Sequence, residues 1–348
     1  MDIVTDFWLN NPDEMAGRLD SLAEQSEFPV QSFRFGKSWR GRDLVGFRAG
    51  SGRLNLFVVA GMHAGEHPAP YGILSFIHTL STGRDLDDKD VSEWVDRTLT
   101  EQTITLVPYL NIDGGIRMSK ILPGCYLNNR FKTSDTEEFD HWVLDPMPYF
   151  GLRRRRNLYL TDEQRRIWTE EKGGYIGQLF SDQGVDLWED WKNFRAPETR
   201  ALRDLIEPLR PDCIFEMHCQ DSFHSQMFVP LSSAEGEDQL TQLRYGEEMM
   251  TALMEAGIPS STQSCRPYSV PPDWNEFPDY VYRKYRCLSL FGEVNMSHLF
   301  DHRRDDFGDD PLYRRGLEKP LPTQEQILRG VWIWLKTLVD MGGAREYR

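Results

Sequence analysis

The chain has 348 residues, with 55 acidic side chains against 40 Lys plus Arg, for a formal net charge of −15. That length buries a sizeable core as one large domain or two medium ones, and 39% apolar with 27% charged residues is a globular composition, not a disordered one. The acid excess argues against a duplex nucleic-acid binder, which needs a basic face for phosphates, but leaves room for a local basic pocket.

The longest apolar runs, such as Leu54 to Ala60, are too short to cross a bilayer as a helix, so no membrane partner is expected. The chain opens Met1-Asp2-Ile3-Val4-Thr5-Asp6, without the basic start and apolar stretch of a secretion signal. Its five cysteines are Cys125, Cys213, Cys219, Cys265 and Cys287. The odd number and the lack of a C-x-x-C pair fit reduced thiols in a cytoplasmic protein.

The first helix signal is Asn11 as cap, Pro12 in the first turn and Glu14 closing a capping box, with Met15, Leu19 and Leu22 at helical spacing. Gly36 to Arg42 reads as a turn, and Leu44 to Phe47 as a strand after it. Four nearly continuous apolar runs follow: Leu54 to Ala60, Thr103 to Leu110, Cys213 to Met217 and Leu288 to Phe291. Runs without alternation predict strands buried on both faces. Between them, Tyr71 to Leu80, Pro197 to Ile206 and Gln239 to Ala256 read as helices, the last ending at Gly257. Thr323 to Gln326 is a second capping box, opening a final helix with Ile327, Val331, Trp334, Leu335 and Leu338.

Buried strands alternating with helices predict an α/β fold: a mixed, mostly parallel twisted sheet with helices on both faces. Residues 130–194 break the rhythm and include Arg153 to Arg156, a run read as a solvated or internally paired loop. With no repeat and no low-complexity linker, the expectation is one domain over 1–348 with an elaborated insertion at about 130–194.

The polar residues that stand out lie at the ends of the four runs. They are His63 with Glu66, Asn111 to Gly114, His218, and Glu293. Open α/β sheets bind ligands at the carboxyl ends of their strands. Two His and one Glu delivered to that edge suit a catalytic Zn2+, which takes three protein ligands and leaves a position open. Glu293 is then a spare carboxylate able to act as base towards water. An H-x-x-E pair alone is common by chance, and His67, next to Glu66, is a rival ligand. Trp188, Trp191 and Phe194 read as cleft walls or as core.

Taken in order, these segments resemble the M14 family of zinc carboxypeptidases over about residues 10–338. Gly36 to Leu44 resembles its "G-x-S-x-x-G-R-x-L" lead-in, and Ala60 to Glu66 its H-x-x-E metal segment. Val107 to Gly114 resembles "P-x-x-N-P-D-G", and Gly124 to Phe131 resembles "G-x-D-L-N-R-N-F". Pro197 to Leu202 resembles "P-E-T-x-A-L", Phe215 to His218 the strand ending in the third ligand, and Asp279 to Glu293 the segment leading to the catalytic glutamate.

The resemblance implies a zinc carboxypeptidase-like, phosphorylase/hydrolase-like fold. It implies His63, Glu66 and His218 as zinc ligands, Glu293 as general base and acid, and Tyr268 as a substrate-contacting tyrosine. Arg117 or Lys120 stands for the cation that polarises the scissile carbonyl. Where the family has an "N-R" pair for the substrate's terminal carboxylate, this chain has Asn128-Asn129, with Arg130 next. A bidentate guanidinium grip is geometric, so that shift bears on specificity. The implied activity is amide hydrolysis, with release of a C-terminal residue from a peptide or small carboxylate-bearing substrate. An amidase or deacylase acting on an N-acyl amino acid or peptide-like metabolite is the alternative, and a non-catalytic binding protein on the same fold is a third reading.

Overall fold

The protein is described from a computed structural model, covering residues 2–9, 11–121, 181–220, 227–230, 234, 236–258, 276–295, 322–345 and 347. Seven strands form one sheet: β1 (Val30–Lys37), β2 (Asp43–Ala49), β3 (Leu54–Ala60), β4 (Gln102–Val107), β5 (Cys213–Gln220), β6 (Met227–Pro230) and β7 (Leu288–Asn295). Their order across the sheet is β1-β2-β4-β3-β5-β7-β6. The central four, β4-β3-β5-β7, pair in parallel. β2 and β6 run against them, and β1 is antiparallel to β2. The sheet is therefore mixed, with most strands pointing one way.

The apolar runs become the central strands because both of their faces are covered. Along β3, Leu56, Val58 and Ala60 join one apolar core, while Phe57 and Val59 join the other. The first core also takes residues of helices α1 (Ile3–Phe7), α2 (Met15–Glu24), α3 (Pro68–Thr82) and α4 (Ser92–Glu101). α7 (Gly236–Glu255) and α9 (Gln324–Arg345) complete that face. The second core takes Leu202 and Ile206 of α6 (Pro197–Leu209), Phe277 and Val281 of α8 (Phe277–Tyr285), and Trp188 and Trp191.

Local signals explain the element ends. Thr323 and Gln326 form the reciprocal capping box of α9: Gln326 N–H donates to Thr323 Oγ1 at 3.1 Å, and Thr323 N–H donates to Gln326 Oε1 at 2.9 Å. Asn11 caps a single 3₁₀ turn, Pro12–Glu14, which leads into α2. The run expected as a strand to Leu110 leaves the sheet at Val107, and a helix absent from the sequence reading, α5 (Ile112–Ile121), starts soon after. Asn111 turns the chain there, its Oδ1 accepting Gly114 N–H at 3.1 Å and its Nδ2 donating to Met62 O at 3.1 Å. The turn is thereby tied to the segment after β3.

Candidate metal centre

β3 ends at Ala60, and Gly61 turns the chain with φ +63. A Cβ at Gly61 would lie 2.8 Å from the Tyr109 ring, so both backbone and space require glycine. The turn carries His63 and Glu66 over the carboxyl edge of the sheet. His218 arrives from β5 and Glu293 from β7, inside the strands rather than beyond their ends. The two are register partners in the parallel β5–β7 ladder.

His63, Glu66 and His218 converge, each offering one ligand atom, with all three atoms within 4.8 Å of one another. His63 Nδ1 is 2.7 Å from Glu66 Oε1, His218 Nδ1 is 2.9 Å from Glu66 Oε2, and the two Nδ1 atoms are 3.1 Å apart. All three residues are buried. The far side of each ring meets a carboxylate: His63 Nε2 lies 3.3 Å from Asp186 Oδ1, and His218 Nε2 lies 2.9 Å from Glu216 Oε1. Metal-bound imidazoles use this arrangement, because the outer carboxylate fixes the ring's tautomer and orientation.

The electrostatics point the same way. Burial opposes a charge on His63, but Glu66 and Asp186 outweigh it and push the imidazole up to about 9. His218 is raised against burial by Glu66 and Glu216. Glu66 is held well below the usual carboxylate range, because both imidazoles outweigh its burial. Burial raises Glu216, partly offset by His218. Three buried carboxylates face two imidazoles, an environment that stabilises positive charge. Two imidazole nitrogens and a carboxylate oxygen fit the ligand preferences of zinc.

His67, the rival ligand, turns away. Its Nδ1 is 2.8 Å from Tyr109 Oη, which donates to Ala64 O at 3.0 Å. Burial pushes its imidazole down to about 3, so it serves as a neutral brace for the 63–66 turn. Trp188 does wall the site, with ring centroids 6.2 Å from His63 and 5.6 Å from His218. Trp191 lies deeper, packed on Phe277.

Arg117 sits on α5 with its guanidinium bound to Asp182, which also holds Arg40. Lys120 is on the same helix, with its side chain outside the described residues. Asn128, Asn129, Arg130, Arg153 to Arg156 and Tyr268 also lie outside them. Sequence reasoning missed Asp186 and Glu216. Glu216 had a usable signal: a lone carboxylate inside an apolar strand, two residues before a His, lies on that His's face. Asp186 had none, since its segment has no periodicity.

Comparison with known proteins agrees with this geometry. The family model described as zinc carboxypeptidase, Peptidase_M14, matches residues 15–290. No curated protein sequence gives a significant match. The fold is similar to a metallo-carboxypeptidase from Burkholderia cenocepacia, at 15% identity and TM-score 0.61, over 97% of this chain and 69% of that one. It is similar to a metallo-carboxypeptidase from Pseudomonas aeruginosa solved with (2-guanidinoethylmercapto)succinic acid, at 18% identity and TM-score 0.61, over 95% of this chain and 68% of that one. Carboxypeptidase A from Helicoverpa armigera matches at 15% identity and TM-score 0.58, over 97% of this chain and 74% of that one. The family model spans most of the chain, from the start of α2 into the first residues of β7 and stopping before Glu293, and on that match the protein belongs to the M14 family of zinc carboxypeptidases.

Proposed function

We propose that the protein is a zinc-dependent hydrolase that cleaves an amide bond and releases the C-terminal residue of a peptide or peptide-like substrate. The observation that carries the reading is the convergence of His63, Glu66 and His218, each ring backed by a carboxylate, with Glu293 in register beside the third ligand. His63 Nδ1, His218 Nδ1 and the Glu66 carboxylate would hold the ion. Zinc held there supplies Lewis acidity towards the scissile carbonyl and acidifies water at the open position. Glu293 takes the proton of the attacking water and passes it to the leaving amine. Arg117 or Lys120 stabilises the negative charge that develops on the carbonyl oxygen. Asn128, Asn129, Arg130 and Tyr268 contact the substrate.

A carboxylate-bearing substrate is supported by the Pseudomonas aeruginosa relative, solved with a succinic acid derivative. We read residues 1–348 as one catalytic domain. Three buried free thiols, Cys213, Cys219 and Cys287, suit a reducing cytoplasmic setting. The described residues include no helix long and apolar enough to cross a membrane.

The test is residue release from a set of peptides with free and amidated C-termini. Release that needs the free carboxylate is the expected outcome. Hydrolysis of N-acyl amino acids without release from any peptide would move the reading to an amidase or deacylase, which the Asn128-Asn129-Arg130 order favours. A metal-replete protein inactive on both classes would point to a binding role.

A further inference from the structure

β5 carries a carboxylate that the ligand set does not use. Glu216 is wholly buried, and its strand neighbours Ile214, Phe215 and Met217 are wholly buried apolar residues. A carboxylate in such surroundings is costly unless both of its oxygens are directed at donors. Here they are. Oε1 lies 2.9 Å from His218 Nε2, and Oε2 accepts the Trp188 indole N–H at 3.2 Å. Glu216 cannot turn without losing one of these contacts.

The clamp is itself anchored. Trp188 backbone N–H donates to Asp186 Oδ1 at 3.0 Å, and Trp188 O accepts Phe277 N–H at 3.0 Å. One short segment therefore supports both rings: Asp186 sits behind His63, and Trp188 holds the carboxylate behind His218. A neutral imidazole has one N–H and one lone pair. With Nε2 facing a carboxylate, that nitrogen carries the proton and the Nδ1 lone pair faces His63 and Glu66. Both of Glu216's donors are neutral in that state.

We propose that Glu216, clamped by Trp188, is a positioning residue of the metal centre. It fixes the tautomer and the aim of His218. The inference rests on the metal reading given above and deepens it by assigning a second supporting carboxylate.

The experiment uses the full-length protein with zinc and cobalt(II) as probes. Zinc affinity is measured by chelator competition and the ligand field by cobalt(II) absorption, for wild type, Glu216→Gln and Trp188→Phe. Glu216→Gln keeps one acceptor for His218 but turns an NH2 donor toward the Trp188 indole N–H, so the two-sided clamp is broken. Its zinc dissociation constant is expected to rise about 10- to 100-fold, as for other outer partners of metal-bound histidines. Its cobalt bands are expected to shift. Trp188→Phe keeps an aromatic wall but frees Oε2, and a smaller loss in the same direction is expected.

Zinc affinity within twofold of wild type in folded Glu216→Gln, with unchanged cobalt bands, would overturn the inference. So would a lower melting temperature of the metal-free protein as the variant's one defect, which marks a packing role. If Glu216→Gln does not fold, Trp188→Phe decides on the same readouts, and wild-type affinity there overturns the proposal. A wild-type chain that takes up no stoichiometric zinc would instead sink the metal reading beneath it.

Discussion

His218 and Glu293 sit opposite each other in the parallel ladder between β5 and β7. Matched residues on neighbouring strands are about 4.8 Å apart and project from the same face of the sheet. The proposed third ligand and the proposed base, distant in sequence, are thus held together by backbone hydrogen bonds, independent of any loop. His218 is buried, whereas Glu293 is only partly so. That difference suits the roles proposed for them, since a ligand gains from a dry site and a base must meet water. Glu293→Gln preserves shape and removes the base. Turnover is expected to fall by about 10²- to 10⁴-fold, the usual contribution of a positioned acid–base group. Zinc content and melting temperature should stay at wild-type values. Turnover at the wild-type rate would refute the role.

Removing the ion should cost stability as well as activity. A ligand at a concentration a hundred times its dissociation constant stabilises the folded state by about 2.7 kcal/mol. Chelation should therefore lower the melting temperature of wild type, and zinc should restore it. His63→Ala and His218→Ala are each expected to lose the ion. Their melting temperatures should be indifferent to chelator, as read by calorimetry beside elemental analysis. A chelator-sensitive His218→Ala protein would remove His218 from the ligand set.

Gly61 tests how the turn delivers His63. Its φ of +63 is a left-handed conformation, and a Cβ there would press on Tyr109 at 2.8 Å. Left-handed backbone costs a residue with a Cβ roughly 1–2 kcal/mol, before any clash. Tyr109 also braces His67 and Ala64, so it cannot yield without moving the metal turn. Gly61→Ala is expected to destabilise the protein by about 2 kcal/mol or more and to weaken zinc binding with it. Denaturant titration and chelator competition measure the two effects. A variant as stable as wild type would show that the turn has room to relax.

The central strands were legible because burial on both faces leaves continuous apolar runs, as in Leu54–Ala60 and Cys213–Met217. The candidate cluster of His63, Glu66 and His218 was legible because an α/β sheet collects its strand ends at one edge. α5 was not legible, because the adjacent glycines Gly114-Gly115 weaken a helical pattern. Those glycines are there for packing. A Cβ at Gly114 would lie 2.5 Å from Ala64 Cβ, and one at Gly115 would lie 2.5 Å from Tyr109 Oη. The helix can approach the metal turn only where it has no side chains. β1 was missed because it is the outermost strand beside β2, with no fully buried residue. The choice between His63 and His67 was undecidable from spacing, since it depends on Tyr109, a residue from another segment.

The lead-in turn of residues 38–42 holds a pH-sensitive contact outside the candidate metal centre. Trp39 N–H donates to Glu198 Oε1 at 2.7 Å, and Arg40 N–H donates to Asp113 Oδ2 at 2.8 Å. Glu198 is buried at the start of α6. Burial pushes its carboxyl up from 4.5 to about 7, against the Trp39 N–H and its own, with Asp113 and Asp182 adding to the rise. The folded state therefore binds the proton more tightly than the unfolded chain does. Between about pH 4.5 and 7 the folded protein keeps a proton that the unfolded chain has lost, so stability falls as pH rises through this window. Once both states are ionised, the loss levels off at about 3 kcal/mol at most. Glu198→Gln keeps an acceptor for Trp39 N–H and does not ionise. It should match wild type near pH 4.5 and gain on it steadily up to about pH 7. Paired denaturant titrations across that range measure the gap, and a gap that does not widen would mean that Glu198 ionises as it does in the unfolded chain.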